Sequence, residues 1–468
     1  MRALSIVDSL FLLLENAKQP MHVAGICVFE LPEDQDEASF INELANRIDP
    51  DAIPNFPFNQ VLYHRVAWKT IRKFHIDRHC YQHSLQTGKM SEALAQISRL
   101  HERQLDRTRP LWELHLFDNL EPETQGGSKR FLLYLKVHHA MMDGVAAMRL
   151  FQRSLSHSPD EKLSKPIWLR DIRRKGSSFA MDKKSILGHF KDQILGLKPV
   201  YQELKSDYQL SQTTSSQTPK TQFISSLQAP ASILNQRIGT SRHISVMTLK
   251  KARFVQIAKQ LNVSTNDMIL AVCSSAVRAY LISQNALPDA PLIAFVPTSL
   301  RKNDTAIGNQ ISFIPTNLGT DNPDPIMRLM VIHDSMQAGK GRIGRMTQPE
   351  FINYTAAHYA WAGVNLATRA LPTKQAFNLI ISNIPGDDTP LYLSGARLTA
   401  MYPASVLLDG QALNISFTNY QDCIDFGITA CQAALPNIQS LPSLLEKALD
   451  EYESLCDDKN SQHPVAES

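Results

Sequence analysis

The chain has 468 residues, 43% of them hydrophobic and 20% charged, and its 48 Lys and Arg against 45 Asp and Glu leave a formal charge of +3. That composition excludes a disordered chain and lacks the strong basic bias of a nucleic-acid-binding protein. The length suits two large units joined by a linker, at roughly 150 residues or more per unit, and six scattered cysteines with no CxxC pair argue against a disulfide framework or thiolate zinc site and fit a reducing compartment.

Ser5 to Asn16 reads as an amphipathic helix, with Ser5 as N-cap and Asp8 three residues later in a capping-box arrangement. Its apolar run Leu10 to Leu14 is too short, and too closely flanked by Asp8 and Glu15, for a signal peptide or a membrane span. No other run approaches about 18 apolar residues, so a cytoplasmic protein is expected, with any lipid contact peripheral. Val23 to Glu30 predicts a strand, Met90 to Leu105 a helix and Phe131 to His139 a strand, which makes residues 1–159 a first α/β unit.

Residues 160–240 read as a linker. Between Asp160 and Lys205 eleven Lys and Arg face six Asp and Glu, and Ser206 to Gln228 is a Ser/Thr/Gln-rich connector without apolar periodicity. Trp168, Leu169 and the apolar residues from Ile186 to Leu197 are interleaved with bases, a pattern that suits either an anionic lipid surface or a linker helix packed on the two units. Residues 241–468 form a second unit. Strands are expected at His243–Leu249, Leu292–Val296, Phe377–Ser382, Leu413–Thr418 and Asp425–Thr429, a helix at Ser264–Leu281 capped by Ser264 and Asp267, and a frayed tail from Asp457.

The segment that carries chemistry is Phe131 to Gly144, where an apolar strand runs into His138-His139-Ala140-Met141-Met142-Asp143-Gly144. Pleat parity puts His139 on the face of Phe131, Leu133, Leu135 and Val137, and His138 on the face of Leu132, Tyr134 and Lys136. Two imidazoles that diverge make a poor chelate, and no further ligand stands at zinc spacing, so no metal is expected. One histidine at a strand end, with Gly144 for a tight turn and Asp143 to hold a neighbour, suits proton removal from an alcohol or thiol. There is no G-x-S-x-G elbow and no phosphate-cradling GxxxxGK[ST], which argues against a serine hydrolase or an ATP-driven ligase.

His138-His139-x-x-x-Asp143-Gly144 matches the HHxxxDG signature of the CoA-dependent acyltransferase superfamily, and the chain more specifically resembles the bacterial wax ester synthase/diacylglycerol acyltransferase family. Further motifs carry the resemblance in order: Leu4-Ser5-x-x-Asp8, Pro20-Met21-His22-Val23, Leu105-Asp106-Arg107-x-Arg109-Pro110-Leu111-Trp112-Glu113, Asn266-Asp267, Pro297 to Arg301, Ser382-Asn383-Ile384-Pro385-Gly386 and Leu408 to Asn414. The chain departs from the pattern at Thr298, where Val is commoner, and at Asp387, where Pro is frequent.

The resemblance implies two chloramphenicol-acetyltransferase-like α/β domains forming a pseudo-dimer, with a tunnel at their interface. It implies acyl transfer from acyl-CoA, as co-substrate rather than resident cofactor, to a fatty alcohol or diacylglycerol, with His139 as general base and His138 supporting it. Asp143 is then structural, paired with an arginine for which Arg65 and Arg301 are the candidates. Asn266 stands as an oxyanion or tunnel residue and equally as a helix start; Pro110, Leu111 and Trp112 stand as channel residues and equally as a turn with a core aromatic. Two alternatives remain at this level: an acyltransferase for another hydroxyl acceptor, and a non-catalytic lipid-binding relative. Contact with a membrane or lipid inclusion fits insoluble substrates; nucleic acid does not.

Overall fold

The computed structural model describes residues 2–4, 6–33, 35–46, 49, 51–64, 66–161, 166–170, 229–299, 311–346 and 376–462. The first half runs β1 (Arg2–Ala3), α1 (Ile6–Leu14), β2 (His22–Glu30), α2 (Glu37–Asn46), β3 (Gln60–Tyr63), β4 (Ala67–Thr70), β5 (Cys80–Ser84), α3 (Met90–His101), β6 (Trp112–Leu120), β7 (Arg130–His138) and α4 (Gly144–Ser154). The second runs β8 (His243–Lys250), α5 (Lys251–Gln260), α6 (Thr265–Ser283), β9 (Ile293–Ser299), β10 (Ile311–Asn317), α7 (Pro325–Arg345), β11 (Leu379–Ile384), β12 (Tyr392–Leu393), β13 (Ala396–Ala404), β14 (Leu413–Tyr420), β15 (Cys423–Ala430) and α8 (Leu441–Gln462).

These strands build two six-stranded mixed sheets, in the orders β12-β13-β2-β7-β6-β5 and β10-β9-β11-β14-β15-β8, beside a small β1-β4-β3 sheet. β7 is central in the first because it is apolar on both faces. Phe131, Leu133, Leu135 and Val137 join Phe40, Met148 and Phe151 in one core, while Leu132 and Tyr134 join Ile97, Ile244 and Tyr402 in another that reaches the second half. The expected parity therefore holds. In the second half the capping box of Ser264 and Asp267 forms as read, opening the largely buried α6.

Three expectations are corrected. The helix from Met90 ends at His101, not Leu105, because the buried Lys136 ammonium donates to the Leu100 and Arg103 carbonyls at 2.8 and 2.6 Å and so terminates it. The tail expected to fray from Asp457 is helical through Gln462, because Leu445, Ala448, Leu449, Tyr452 and Cys456 recur at helical spacing and are buried in the second core. Finally, β12 and β13, although they lie within the second unit by sequence, belong to the first sheet: β13 pairs antiparallel with β2, from Arg397↔Glu30 to Ala404↔Ala24.

This exchanged strand joins the halves. Met401 N–H donates to Asp425 Oδ2 at 2.8 Å and Ser405 N–H to Thr429 Oγ1 at 3.1 Å, so β15 side chains accept from β13 backbone. The approach is so close that a Cβ on Gly427 would overlap the Pro403 carbonyl. Gly427→Ala should therefore destabilise the protein by about 1–3 kcal/mol or more, measured by urea unfolding. Gly341→Ala, where a Cβ meets nothing within 4 Å, should show no such loss.

Candidate active site

The site forms where β7 stops. His138 is its last residue and His139 continues the ladder by one bond, donating its N–H to Met21 O at 2.8 Å, just before the strand start at His22. On the other side His138 N–H donates to Leu111 O at 2.9 Å. The chain then turns through Ala140 to Met142 into α4. With their backbones fixed in this way the two imidazoles diverge, as the pleat requires.

His138 is fully buried. Its Nδ1 accepts from Ala140 N–H at 3.0 Å, and its Nε2 lies 3.4 Å from Glu15 Oε1. His139 stacks on Phe11 of α1, ring centroids 4.1 Å apart, with a buried Nδ1 that has no hydrogen-bond partner. Burial lowers the His139 pKa from its ordinary value, and the Asp143 carboxylate pulls it partly back, helped by Asp8.

Asp143 is the N-cap of α4: its Oδ1 accepts from Ala146 N–H at 2.7 Å, and its side chain is buried against the positive end of the helix. Arg65 and Arg301, the expected partners, lie outside the described residues, as do Ser5 and most of the linker. Gly144 requires a correction. It is the first residue of α4 without a positive φ, and a Cβ there would meet Ile384 and Val23 only at an ordinary 3.9 Å, so no tight turn demands glycine.

The remaining motif residues divide. Pro385 O accepts from Gln152 of α4 at 3.2 Å and Ile384 packs into the first core, so Ser382 to Gly386 docks behind the histidine turn; a Cβ on Gly386 would overlap Asn419 O. Leu111 and Trp112 have no exposed surface, and Trp112 is locked by a bond from Nε1 to Phe58 O at 3.0 Å and by stacking on His79 and Trp168. Neither side chain lines an open channel in this conformation; Leu111 serves the site through its carbonyl. Trp168 and Leu169, the described start of the linker, are packed in the core rather than spread on a surface. Asn266 sits half-buried in the first turn of α6 and, among the described residues, bonds to neither histidine; its neighbour Asp267 is buried with His333 Nδ1 at 2.9 Å.

Sequence reasoning missed two groups that touch the pair directly, Phe11 and Glu15. Their signal is the spacing Asp8, Phe11, Leu12, Glu15, one helical face. Glu15 is paired with Arg107, Nη2 to Oε2 at 2.8 Å, which gives the Asp106-Arg107 motif its function.

A histidine pair at a strand end, followed by an Asp-headed helix in a molecule built on two six-stranded mixed sheets, is the architecture of a CoA-dependent acyltransferase-like fold. The likeness of the fold to the first condensation domain of the calcium-dependent antibiotic synthetase, at a TM-score of 0.59 and 14% identity over 98% of this chain and 96% of that one, agrees with that architecture. The wax ester synthase/diacylglycerol acyltransferase catalytic domain matches residues 4–269 and the corresponding C-terminal domain residues 307–453. The chain belongs to this family. It is 42% identical over 461 residues to O-acyltransferase WSD of Acinetobacter baylyi, covering 97% of this chain and 98% of the relative, and 35% identical to the probable diacylglycerol O-acyltransferase tgs2 of Mycobacterium tuberculosis, covering 95% and 97%. The wax ester synthase/diacylglycerol acyltransferase of Marinobacter aquaeolei VT8 superposes with a TM-score of 0.76 at 33% identity, over 97% of this chain and all of that one.

The two roles of Asp143 separate by substitution. Asp143→Asn keeps a competent cap, whereas Asp143→Ala removes it and should lower stability by about 0.5–2 kcal/mol. Both remove the charge that holds the His139 pKa up, so the acid limb of kcat/KM should move to lower pH in both, checked by pH–rate profiles beside urea unfolding. An unmoved limb in both variants would exclude the electrostatic role.

Proposed function

We propose that this chain transfers a long-chain acyl group from acyl-CoA to the hydroxyl of a fatty alcohol, giving a wax ester, or of a diacylglycerol, giving a triacylglycerol, with His139 as general base. The observation that carries the reading is the placement of His139 at the end of β7, its ring stacked on Phe11 and the Asp143 carboxylate at the head of the helix that follows, with burial lowering its pKa. As the acceptor oxygen attacks the thioester carbonyl, His139 Nε2 takes the hydroxyl proton. The tetrahedral adduct then collapses with C–S cleavage, and the imidazolium returns the proton to the departing CoA thiolate. The thioester is already activated, so no covalent acyl-enzyme is needed. Holding donor and acceptor in line supplies the rest of the acceleration.

Purified protein given labelled palmitoyl-CoA with hexadecanol or dioleoylglycerol should form the corresponding ester. His139→Ala should stay folded while the rate falls by about two to four orders of magnitude, and an undiminished rate at matched folded concentration would remove His139 from the mechanism.

Peripheral lipid contact is the second part of the proposal. Among the described residues no helix is long and apolar enough to cross a membrane. The outer face of α1 leaves Leu10 and Leu13 49% and 78% exposed, and Tyr63 and Val66 are exposed beside β3 and β4, in a stretch from Ala52 to Ile76 that holds Arg65, Lys69, Arg72 and Lys73 and no acidic residue. Exposed apolar side chains, some of them in a stretch of sequence rich in bases, suit an anionic lipid surface. Leu10→Ser with Leu13→Ser should lower flotation with anionic vesicles while turnover of detergent-dispersed hexadecanol stays at the parental rate; equal flotation of variant and parent would exclude this face.

A further inference from the structure

Among the described residues the hydrogen bonds to the Glu15 carboxylate come from Arg107 and the Met21 backbone, with His138 beside them. Arg107 reaches Oε2 with Nε at 3.0 Å and Nη2 at 2.8 Å, Met21 N–H reaches Oε1 at 3.1 Å, and His138 Nε2 lies 3.4 Å from Oε1. The side chain has no exposed surface, so no water makes up for a missing bond. Burial by itself would raise the Glu15 pKa, but His138, Met21 N–H and Arg107 together outweigh it, and the pKa is lowered. Glu15 is an anion at the end of α1 with both oxygens occupied.

Two routes lead from this anion to His139. The first is through His138. Its Nδ1 accepts from Ala140 N–H, so a ring proton belongs on Nε2, which lies 3.4 Å from Glu15 Oε1, an electrostatic contact without a formed hydrogen bond. The second is through Met21, whose N–H is held by Glu15 and whose carbonyl accepts the His139 N–H at 2.8 Å. Arg107 anchors the whole, since Nη2 also donates to Leu12 O at 2.7 Å and so fixes the last turn of α1, the helix that brings Phe11 onto the His139 ring.

The geometry points to Glu15, clamped by Arg107, as a positioning residue for acyl transfer: it sets the tautomer of His138 and, through the Met21 backbone, the placement of the His139 ring. This rests on the reading of His139 as the base. A glutamine has the same shape but must turn its NH₂ toward either Arg107 or the Met21 and His138 donors, placing donor against donor. An inert tie between α1 and the core would instead leave the tautomer and the chemical step alone.

The test combines histidine NMR with steady-state kinetics on the full chain. In ¹⁵N-histidine-labelled parent protein the His138 signal, assigned by its loss in His138→Gln, should report the Nε2–H tautomer. In Glu15→Gln that signal should shift toward a tautomer mixture, and kcat for palmitoyl-CoA with hexadecanol should fall about 10- to 100-fold, the usual scale for a group that orients another, with KM for palmitoyl-CoA changed less than about twofold. Arg107→Lys, which keeps the charge but not the fork, should move both readouts the same way by less. An Nδ1–H tautomer in the parent overturns the proposal, even where Glu15→Gln fails to fold, and so does Glu15→Gln with parental kcat. If His139→Ala is inactive while Glu15→Gln is parental, positioning alone fails; if His139→Ala keeps the parental rate, the base assignment fails instead.

Discussion

A carboxylate shut away from water survives only where its surroundings return the charge and hydrogen bonds it gave up. Glu15 meets that condition by drawing four separate stretches of chain to one point: the last turn of α1, the Met21 backbone ahead of β2, Arg107 in the loop before β6, and His138 at the end of β7. Removing one partner from such a set typically costs about 3–5 kcal/mol, because the other charge is left buried and unpaired. The same demand therefore keeps the end of the first sheet in register and the histidine turn in shape. A second buried group repeats the logic nearby: the Lys136 ammonium, lowered by burial to a pKa of about 8 against the pull of Glu113, donates to the Leu100 carbonyl in the last turn of α3 and to the Arg103 carbonyl just beyond it.

How much of this was legible in the sequence depends on whether a residue's role is local. The parity of β7 and the capping box at Ser264 follow from spacing alone, and both hold. The role of Glu15 does not, since an acid after an apolar helix reads as a solvated flank until Arg107, 92 positions away, is seen beside it. Asp143 stands between: its residue type and place ahead of an apolar-periodic run are those of an N-cap, but the motif drew attention to an arginine partner instead. Gly144 was misread because glycine after a polar turn usually supplies a positive φ, and here it begins a helix.

The exchanged strand was hidden for a different reason. A strand's pattern records which faces are buried and says nothing of which edge it joins. β13 is apolar enough for either sheet, and its choice depends on a backbone match to β2 and on the absence of a side chain at Gly427. That exchange makes the two halves mutually dependent: the second supplies two strands, β12 and β13, to the sheet whose centre carries the histidines, and Ser382 to Gly386 packs behind the turn that follows them.

The electrostatics of His139 follow from this enclosure. Burial alone lowers the pKa of an imidazole, and a general base loses driving force for every step its pKa falls below the working pH. Asp143 opposes that loss from the head of α4 and Asp8 from α1, neither needing to take the proton itself. Because Asp143 is held by its own helix and Glu15 by Arg107, the charges around the pair are fixed before substrate arrives, and little reorganisation is required when the proton moves. The division is economical in residues: one carboxylate caps the helix and opposes the fall in the His139 pKa, and another, held by Arg107, stands beside His138.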